Sequence, residues 1–126
     1  MRNLIILVIS LVILIGSGLI QLNYLNNSSQ YLISDVEYIE NLINNNDFKE
    51  ANNHYDKLHN TWENMSNVWC IFIHNNETET LKEYMVELEK NIELENKNNV
   101  YLGCSQIINK LENIVEKQKL LIENVF

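Results

Sequence analysis

The sequence from Phe48 to Phe72 reads FKEANNHYDKLHNTWENMSNVWCIF. Its large apolar residues are separated by alternating steps of three and four, which is the spacing that places side chains on one face of an α-helix. We therefore predict a long amphipathic helix whose apolar face is covered by other helices or by a partner. That face carries both tryptophans of the chain and consists of Phe48, Ala51, Tyr55, Leu58, Trp62, Met65, Trp69 and Phe72.

The composition favours a single small helical domain. The chain has 126 residues, no proline and three glycines, and an all-β domain would need more of both at its turns. Clustered asparagines such as Asn44-Asn45-Asn46 can end helices instead, because asparagine tolerates the left-handed conformation. The formal net charge of -8 argues against binding to nucleic acid or to anionic lipid headgroups.

The first 25 residues predict a membrane anchor. Leu4 to Ile20 is apolar except for Ser10 and Gly16-Ser17-Gly18, and at about 1.5 Å per residue it covers roughly 26 Å of a hydrocarbon core about 30 Å thick. We expect residues 4–25, called the apolar segment below, to contact the lipid bilayer, with Tyr24 at its interface. The alternative is a signal peptide cleaved near Gly16-Ser17-Gly18.

The charges on either side of the apolar segment predict its orientation. Arg2 is the only basic side chain before Lys49, whereas Asp35, Glu37 and Glu40 follow the segment. The positive-inside rule then places the N-terminus in the cytoplasm and residues 26–126 outside it, in a single-pass protein of the cell membrane.

We predict four amphipathic helices in the exported region. The first follows a polar joint at residues 26–29, and Asp47 with Glu50 forms a capping box at the start of the second. Thr80 with Glu83 predicts a similar box at the start of the third helix, and a weak internal repeat suggests two stacked helical hairpins. The apolar tail, residues 120–126, should not be a free solvated end. The inward faces of the other three helices consist of Leu32, Val36, Ile39 and Ile43, of Leu81, Tyr84, Met85, Leu88 and Ile92, and of Val100, Cys104, Ile107, Leu111 and Ile114.

Few residues offer chemistry. His54 and His59 do not have the spacing of a metal pair on a helix, and we expect both at the surface. His74 follows an apolar run and precedes Glu77. It can act as a metal or proton site, or its positive charge can cap the end of the preceding helix. No pattern predicts a catalytic residue, a cofactor or a bound metal.

Cys70 and Cys104 leave two interpretations open. An exported domain can hold a disulfide, and this one would close a loop worth about 3–4 kcal/mol. The alternative is a pair of thiols that never meet, since both residues lie on or beside apolar faces.

The chain resembles a family of small bacterial proteins known as domain of unknown function 4363. The resemblance spans nearly the whole chain and depends on the order and spacing of several short motifs. Two positions depart from the family's usual pattern: Val68 stands where a second tryptophan is common, and Asn76 where an acidic residue is common. The resemblance implies a hydrophobic N-terminal segment and a helical exported region in Gram-positive bacteria, with no implied activity. Its motifs are Asn27 to Leu32, Asn46 to Ala51, Trp62 with Trp69, His74 with the acidic residues after it, and Glu123 to Phe126.

These features predict an all-α protein that is not an enzyme. The first hypothesis is an envelope protein whose helical face or tail binds an unknown envelope or membrane protein, in an unknown oligomeric state. The second is a small extracytoplasmic sensor or ligand-binding module with a pocket near His74, Trp69, Tyr84 and Glu77.

Overall fold

The structure, a computed structural model, describes residues 1–125 as an all-α protein. It contains helices α1 (Arg2–Asn44), α2 (Phe48–Phe72), α3 (Asn75–Glu93) and α4 (Lys97–Val125), and no strand within these residues. Very short turns join them, so each helix runs antiparallel to the one before it. Phe126, the last residue of the predicted apolar tail, lies outside the described residues.

The four helices form a bundle of two hairpins. Helix α1 packs against α2 and α4, and α3 packs against α2 and α4, so α1 is diagonal to α3. The hairpins α1–α2 and α3–α4 therefore lie side by side, as the internal repeat suggested.

The predicted apolar faces form one core. The α2 face is buried at Ala51, Tyr55, Leu58, Trp62 and Trp69 and partly buried at Phe48, Met65 and Phe72. The core is completed by Leu25, Leu32, Ile33, Val36, Ile39 and Ile43 of α1, by Ile73, by Leu81, Met85, Leu88 and Ile92 of α3, and by Val100, Cys104, Ile107, Leu111 and Ile114 of α4.

The predicted joint at residues 26–29 is wrong, because α1 continues through it without a break. Ser28 and Ser29 are buried against the bundle while Asn26 and Asn27 are exposed. The Ser28 hydroxyl donates to the Tyr24 carbonyl at 2.8 Å, so its polarity is satisfied inside the helix. The four polar residues therefore lie on two faces of one continuous helix, with the serines toward the core and the asparagines toward solvent.

The start of α2 is as predicted, although only half of the capping box forms because the Asp47 N–H donates to the Leu42 carbonyl and not to Glu50. The start of α3 differs from the prediction. The Asp47 carboxylate accepts a hydrogen bond from the Glu50 N–H at 3.2 Å, which makes Asp47 the N-cap of α2. Helix α3 begins at Asn75 instead of near Thr80, with His74 as its N-cap. Thr80 lies inside α3, where its hydroxyl donates to the Asn76 carbonyl.

The apolar segment extends out of the bundle. No residue of its most apolar part is buried, and α1 is long and apolar enough to cross a membrane. Leu25 is already fully buried in the core, so the bundle begins immediately where the apolar segment ends.

Candidate functional site

Trp69 is a core residue held by a hydrogen bond. It is fully buried, and its indole N–H donates to the Ser28 hydroxyl at 2.9 Å. Its ring meets Trp62 edge-on at a centroid distance of 5.3 Å, the arrangement that aromatic quadrupoles favour. Trp69 therefore ties α2 to α1 and does not face a pocket.

His74 caps the beginning of α3 and not, as expected, the end of α2. Its Nδ1 accepts a hydrogen bond from the Asn76 N–H at 3.3 Å, so the side chain caps α3 as an acceptor. To stabilise the end of α2, a positively charged His74 would instead have to face the free carbonyl groups of that helix. The exposed imidazole keeps Nε2 for another partner.

Glu77 pairs with two lysines of α4 instead of with His74. Its carboxylate lies 2.8 Å from the Lys110 ammonium and 3.1 Å from the Lys117 ammonium. Hydrogen bonding from Lys110, supported by Lys117, holds the pKa of Glu77 below its usual value although partial burial opposes the shift. This charge cluster joins α3 to α4.

The structure brings only part of the predicted pocket together. His74 and Glu77 line a cavity of about 120 Å³ with Lys117 and Leu121 of α4. Trp69 is absent from its lining, and so is Tyr84, which is half-buried and lies about two turns, or roughly 10 Å, further along α3. The cavity therefore lies between the α2–α3 turn and α4.

Cys70 and Cys104 are free thiols and are kept apart by the fold. In the described part of the chain, no Cα atom of α2 lies within 8 Å of one of α4, and a disulfide needs a separation below about 7 Å. Cys70 is exposed, whereas Cys104 is buried. Burial, reinforced by Glu40, raises the pKa of the Cys104 thiol to about 12, so it is not a reactive nucleophile.

Residues 1–125 contain no cluster of three or more histidine, cysteine or acidic side chains that could hold a metal ion. Two histidines each approach one carboxylate: His59 lies 3.0 Å from Glu63 on α2, and His54 of α2, which was expected at the surface, is half-buried. Its Nε2 lies 3.4 Å from the Asp35 carboxylate of α1, and its ring lies 4.5 Å from that of Tyr38. These contacts join α1 to α2.

One exposed surface was missed by the sequence analysis. Tyr31 and Tyr38 are both exposed on α1, two helical turns apart and therefore on the same face. The two tyrosines are seven residues apart, and each immediately precedes a core residue, Leu32 or Ile39. This pattern in the sequence could have identified a second face of the helix. Tyrosine is a residue type that is enriched at protein interfaces.

The comparisons with known proteins identify a family for this chain. Comparison with curated proteins and with solved structures gives no match. The family model described as "Domain of unknown function (DUF4363)" matches residues 19–125, from the end of the apolar segment through all of the bundle. The chain therefore belongs to the DUF4363 family.

Proposed function

We propose that this protein is anchored in a membrane by the exposed part of the apolar segment, residues 4–20 instead of the expected 4–25 because Leu25 is buried in the core, and presents its bundle outside the cytoplasm. There it binds another protein of the cell envelope without catalysing a reaction. The observation that carries the proposal is the uninterrupted helix that joins an uncovered apolar segment to a closed bundle.

The exposure of the apolar segment supports the anchor. From Leu4 to Leu14 every large apolar side chain is exposed, and Leu19 and Ile20 are exposed as well. An apolar surface of this extent is far larger than the patches that soluble monomers leave in water. A lipid bilayer would cover it on all sides.

The charges on α1 support the orientation. Arg2 precedes the apolar segment, and Asp35, Glu37 and Glu40 follow it on the same helix. Because basic residues are retained in the cytoplasm, the bundle end of α1 is the exported end.

The exposed tyrosines support a protein partner. We define the tyrosine face as Tyr31 and Tyr38 on α1, with Asp35 between them and His54 beside them on α2. Tyrosine supplies a large contact area at a low cost in conformational entropy. The Asp35–His54 pair adds polar groups at the edge, as is usual around the apolar centre of an interface.

Site-specific photocrosslinking in intact cells tests this proposal. A photoreactive amino acid replaces Tyr31 or Tyr38, and the matched control replaces Glu83, which is exposed on α3, the helix diagonal to α1. We expect a discrete crosslinked product from the two tyrosine positions and none from the control. Equal products from all three positions, or none at all, would contradict a specific partner at this face.

A second candidate function is supported by the cavity at His74. We propose, as the alternative, a small sensor or ligand-binding module in which His74 and Glu77 hold a metal ion or, together with Lys117, a small polar ligand. At about 120 Å³, the cavity has room for a group the size of roughly four water molecules.

Elemental analysis and mass spectrometry of the purified full-length protein test the alternative. His74→Asn removes the imidazole but preserves an N-cap residue for α3, and His59→Asn is the control. A metal or small molecule retained by the wild type and the control but lost from His74→Asn would support the module. Retention of the metal or small molecule by all three proteins, or by none, would contradict this ligand-binding module.

A further inference from the structure

Because α1 continues without a joint from the apolar segment into the bundle, it fixes the distance between the bundle and the membrane. This inference depends on the proposed anchor. If Ile20 is the last residue in the hydrocarbon, Tyr24 lies only about 6 Å beyond it, since a helix rises 1.5 Å per residue. The headgroup layer on each side of a bilayer is roughly 5–8 Å thick. Tyr24 therefore lies within that layer, and a rigid helix gives the bundle no freedom to move away.

Other parts of the bundle lie at the same level as Tyr24. The ring of Phe72, the last residue of α2, meets the Tyr24 ring edge-on with centroids 6.4 Å apart. Leu121 of α4 lines the same cavity as His74 in the α2–α3 turn. We call this region the near end of the bundle; it comprises Tyr24, the last turn of α2, the α2–α3 turn and α4 from Lys117 onward.

Within the near end, helix α4 runs alongside the apolar segment of α1. At the far end of the bundle, the Lys97 ammonium donates to the Asn46 side chain at 3.2 Å. At the near end, Lys119 and Val115 line a cavity together with Leu19 and Leu22 of α1. Helix α4 thus runs antiparallel along α1, and its residues after Lys119 lie beside the outer end of the apolar segment.

The near end presents uncovered apolar side chains to this layer. Ile71 is 79% exposed and Leu121 is 58% exposed. Lys119 directly precedes the tail and is long enough to place its ammonium group among lipid phosphates, whereas the Lys117 ammonium is paired with Glu77. Glu123 lies just beyond Leu121 and needs water around its carboxylate, so the tail cannot enter the hydrocarbon deeply.

We propose that the near end is a second membrane contact. Ile71 and Leu121 enter the headgroup layer of the leaflet from which α1 emerges, and the bundle rests on the membrane surface. We assign the lipid surface as the occupant around both side chains, because the continuous α1 holds this end of the bundle against the leaflet.

Depth-dependent fluorescence quenching in vesicles tests this contact. Full-length protein is reconstituted into phosphatidylcholine vesicles with a minor fraction of phosphatidylglycerol. A fluorophore is attached to single cysteines introduced by Ile71→Cys, Leu121→Cys or Leu94→Cys in a Cys70→Ser background, in which the buried Cys104 stays unlabelled. Leu94 is the matched control, because it is 75% exposed at the opposite end of the bundle.

We expect lipids with a nitroxide near the carbonyl end of the chain to quench the labels at 71 and 121 several-fold more than the label at 94. Equal quenching at all three positions would overturn the contact. Protection of position 71 from aqueous iodide without quenching by lipid would also overturn it, and would point to a second copy of the chain as the occupant.

A fourth label, introduced by Leu11→Cys, separates this inference from the proposed anchor. If lipids with a nitroxide near the methyl end quench the label at 11 but no lipid quenches those at 71 and 121, the anchor stands and the second contact fails. If the label at 11 is not quenched, both fail. Circular dichroism checks that each labelled protein keeps its helical content.

Discussion

Ser28 shows how one small polar residue can be mistaken for a joint. In the sequence it belongs to a polar cluster, yet its hydroxyl accepts from the Trp69 indole and donates to the Tyr24 carbonyl. It therefore satisfies a buried donor on another helix while keeping its own proton bonded. Buried polar groups that are fully paired in this way specify which helices meet and at what height.

We expect Ser28→Ala to destabilise the protein by about 1–3 kcal/mol, because the Trp69 N–H would remain buried without an acceptor. The free energy of unfolding in denaturant, with the protein in mild detergent, measures this change. Ser66→Ala is the control, since Ser66 also donates to a carbonyl of its own helix but forms no hydrogen bond to another helix within residues 1–125. It should alter stability by less than about 0.5 kcal/mol. Equal losses from the two variants would contradict the role given to Ser28.

The Glu77 carboxylate should make stability depend on pH. Its folded-state pKa is lowered, first by hydrogen bonding from Lys110. The stabilisation is therefore complete above the pKa of an unfolded glutamate, about 4.3, and is lost as the pH falls through the folded-state pKa. We expect Glu77→Gln to cost about 1 kcal/mol at neutral pH and to lose that deficit in acid.

Unfolding titrations of the wild type and Glu77→Gln between neutral pH and pH values below 4 measure this dependence. Glu83→Gln on the exposed face of α3 is the control. A deficit that stays constant across this pH range would show that the carboxylate charge is not the cause.

At the scale of the elements, two turns depend on a left-handed residue. Asn46 after α1 has φ 58° and Glu95 after α3 has φ 54°. The prediction that asparagine takes the left-handed position at a helix end is thus confirmed after α1. After α3, that left-handed position is occupied by Glu95 and not by the neighbouring Asn96. Glutamate has no local side-chain compensation for this conformation, which costs about 1–2 kcal/mol for an ordinary residue.

We expect Glu95→Gly to stabilise the protein by about 0.5–1 kcal/mol, because the relief of strain exceeds the entropy that glycine adds to the unfolded chain. Asn46→Gly should give a smaller gain. Glu93→Gly, inside the last turn of α3, should instead destabilise by up to about 1 kcal/mol. Thermal unfolding of the three variants tests this order, and a loss of stability in Glu95→Gly would refute it.

For the whole molecule, the main prediction concerns which side of the membrane holds the bundle. We expect an impermeant maleimide to label Asn53→Cys in intact cells, in the membrane fraction, because Asn53 is exposed on α2. The background carries Cys70→Ser, and Cys104 is shielded by burial. Asn3→Cys, on the other side of the apolar segment, should react only after lysis.

Two other labelling results would contradict the proposed topology. Labelled Asn53→Cys in the medium would mean that the leader has been removed and the protein secreted. Labelling only after lysis would place the bundle in the cytoplasm and refute the orientation.

The periodicity of the sequence was sufficient for most of the fold. Helices bury one face, and the three-and-four spacing of α2, α3 and α4 identified nearly every core residue correctly. The start of α3 was missed because Thr80 and Glu83 imitate a capping box, whereas the actual N-cap is a histidine. The pocket near His74 was predicted only in part, since spacing along a helix does not reveal which neighbouring helix completes a cavity.

The sequence by itself determined the helical class, the core faces and the apolar segment, because these depend on local periodicity and composition. Only the tertiary structure decided that α1 is continuous, that Glu77 bonds to α4 instead of to His74, and that the two cysteines never meet. Each of these depends on contacts between residues far apart in the chain. The hydrogen bond from the Trp69 indole to the buried Ser28 hydroxyl joins residues 41 positions apart, so it becomes visible only once the helices are packed.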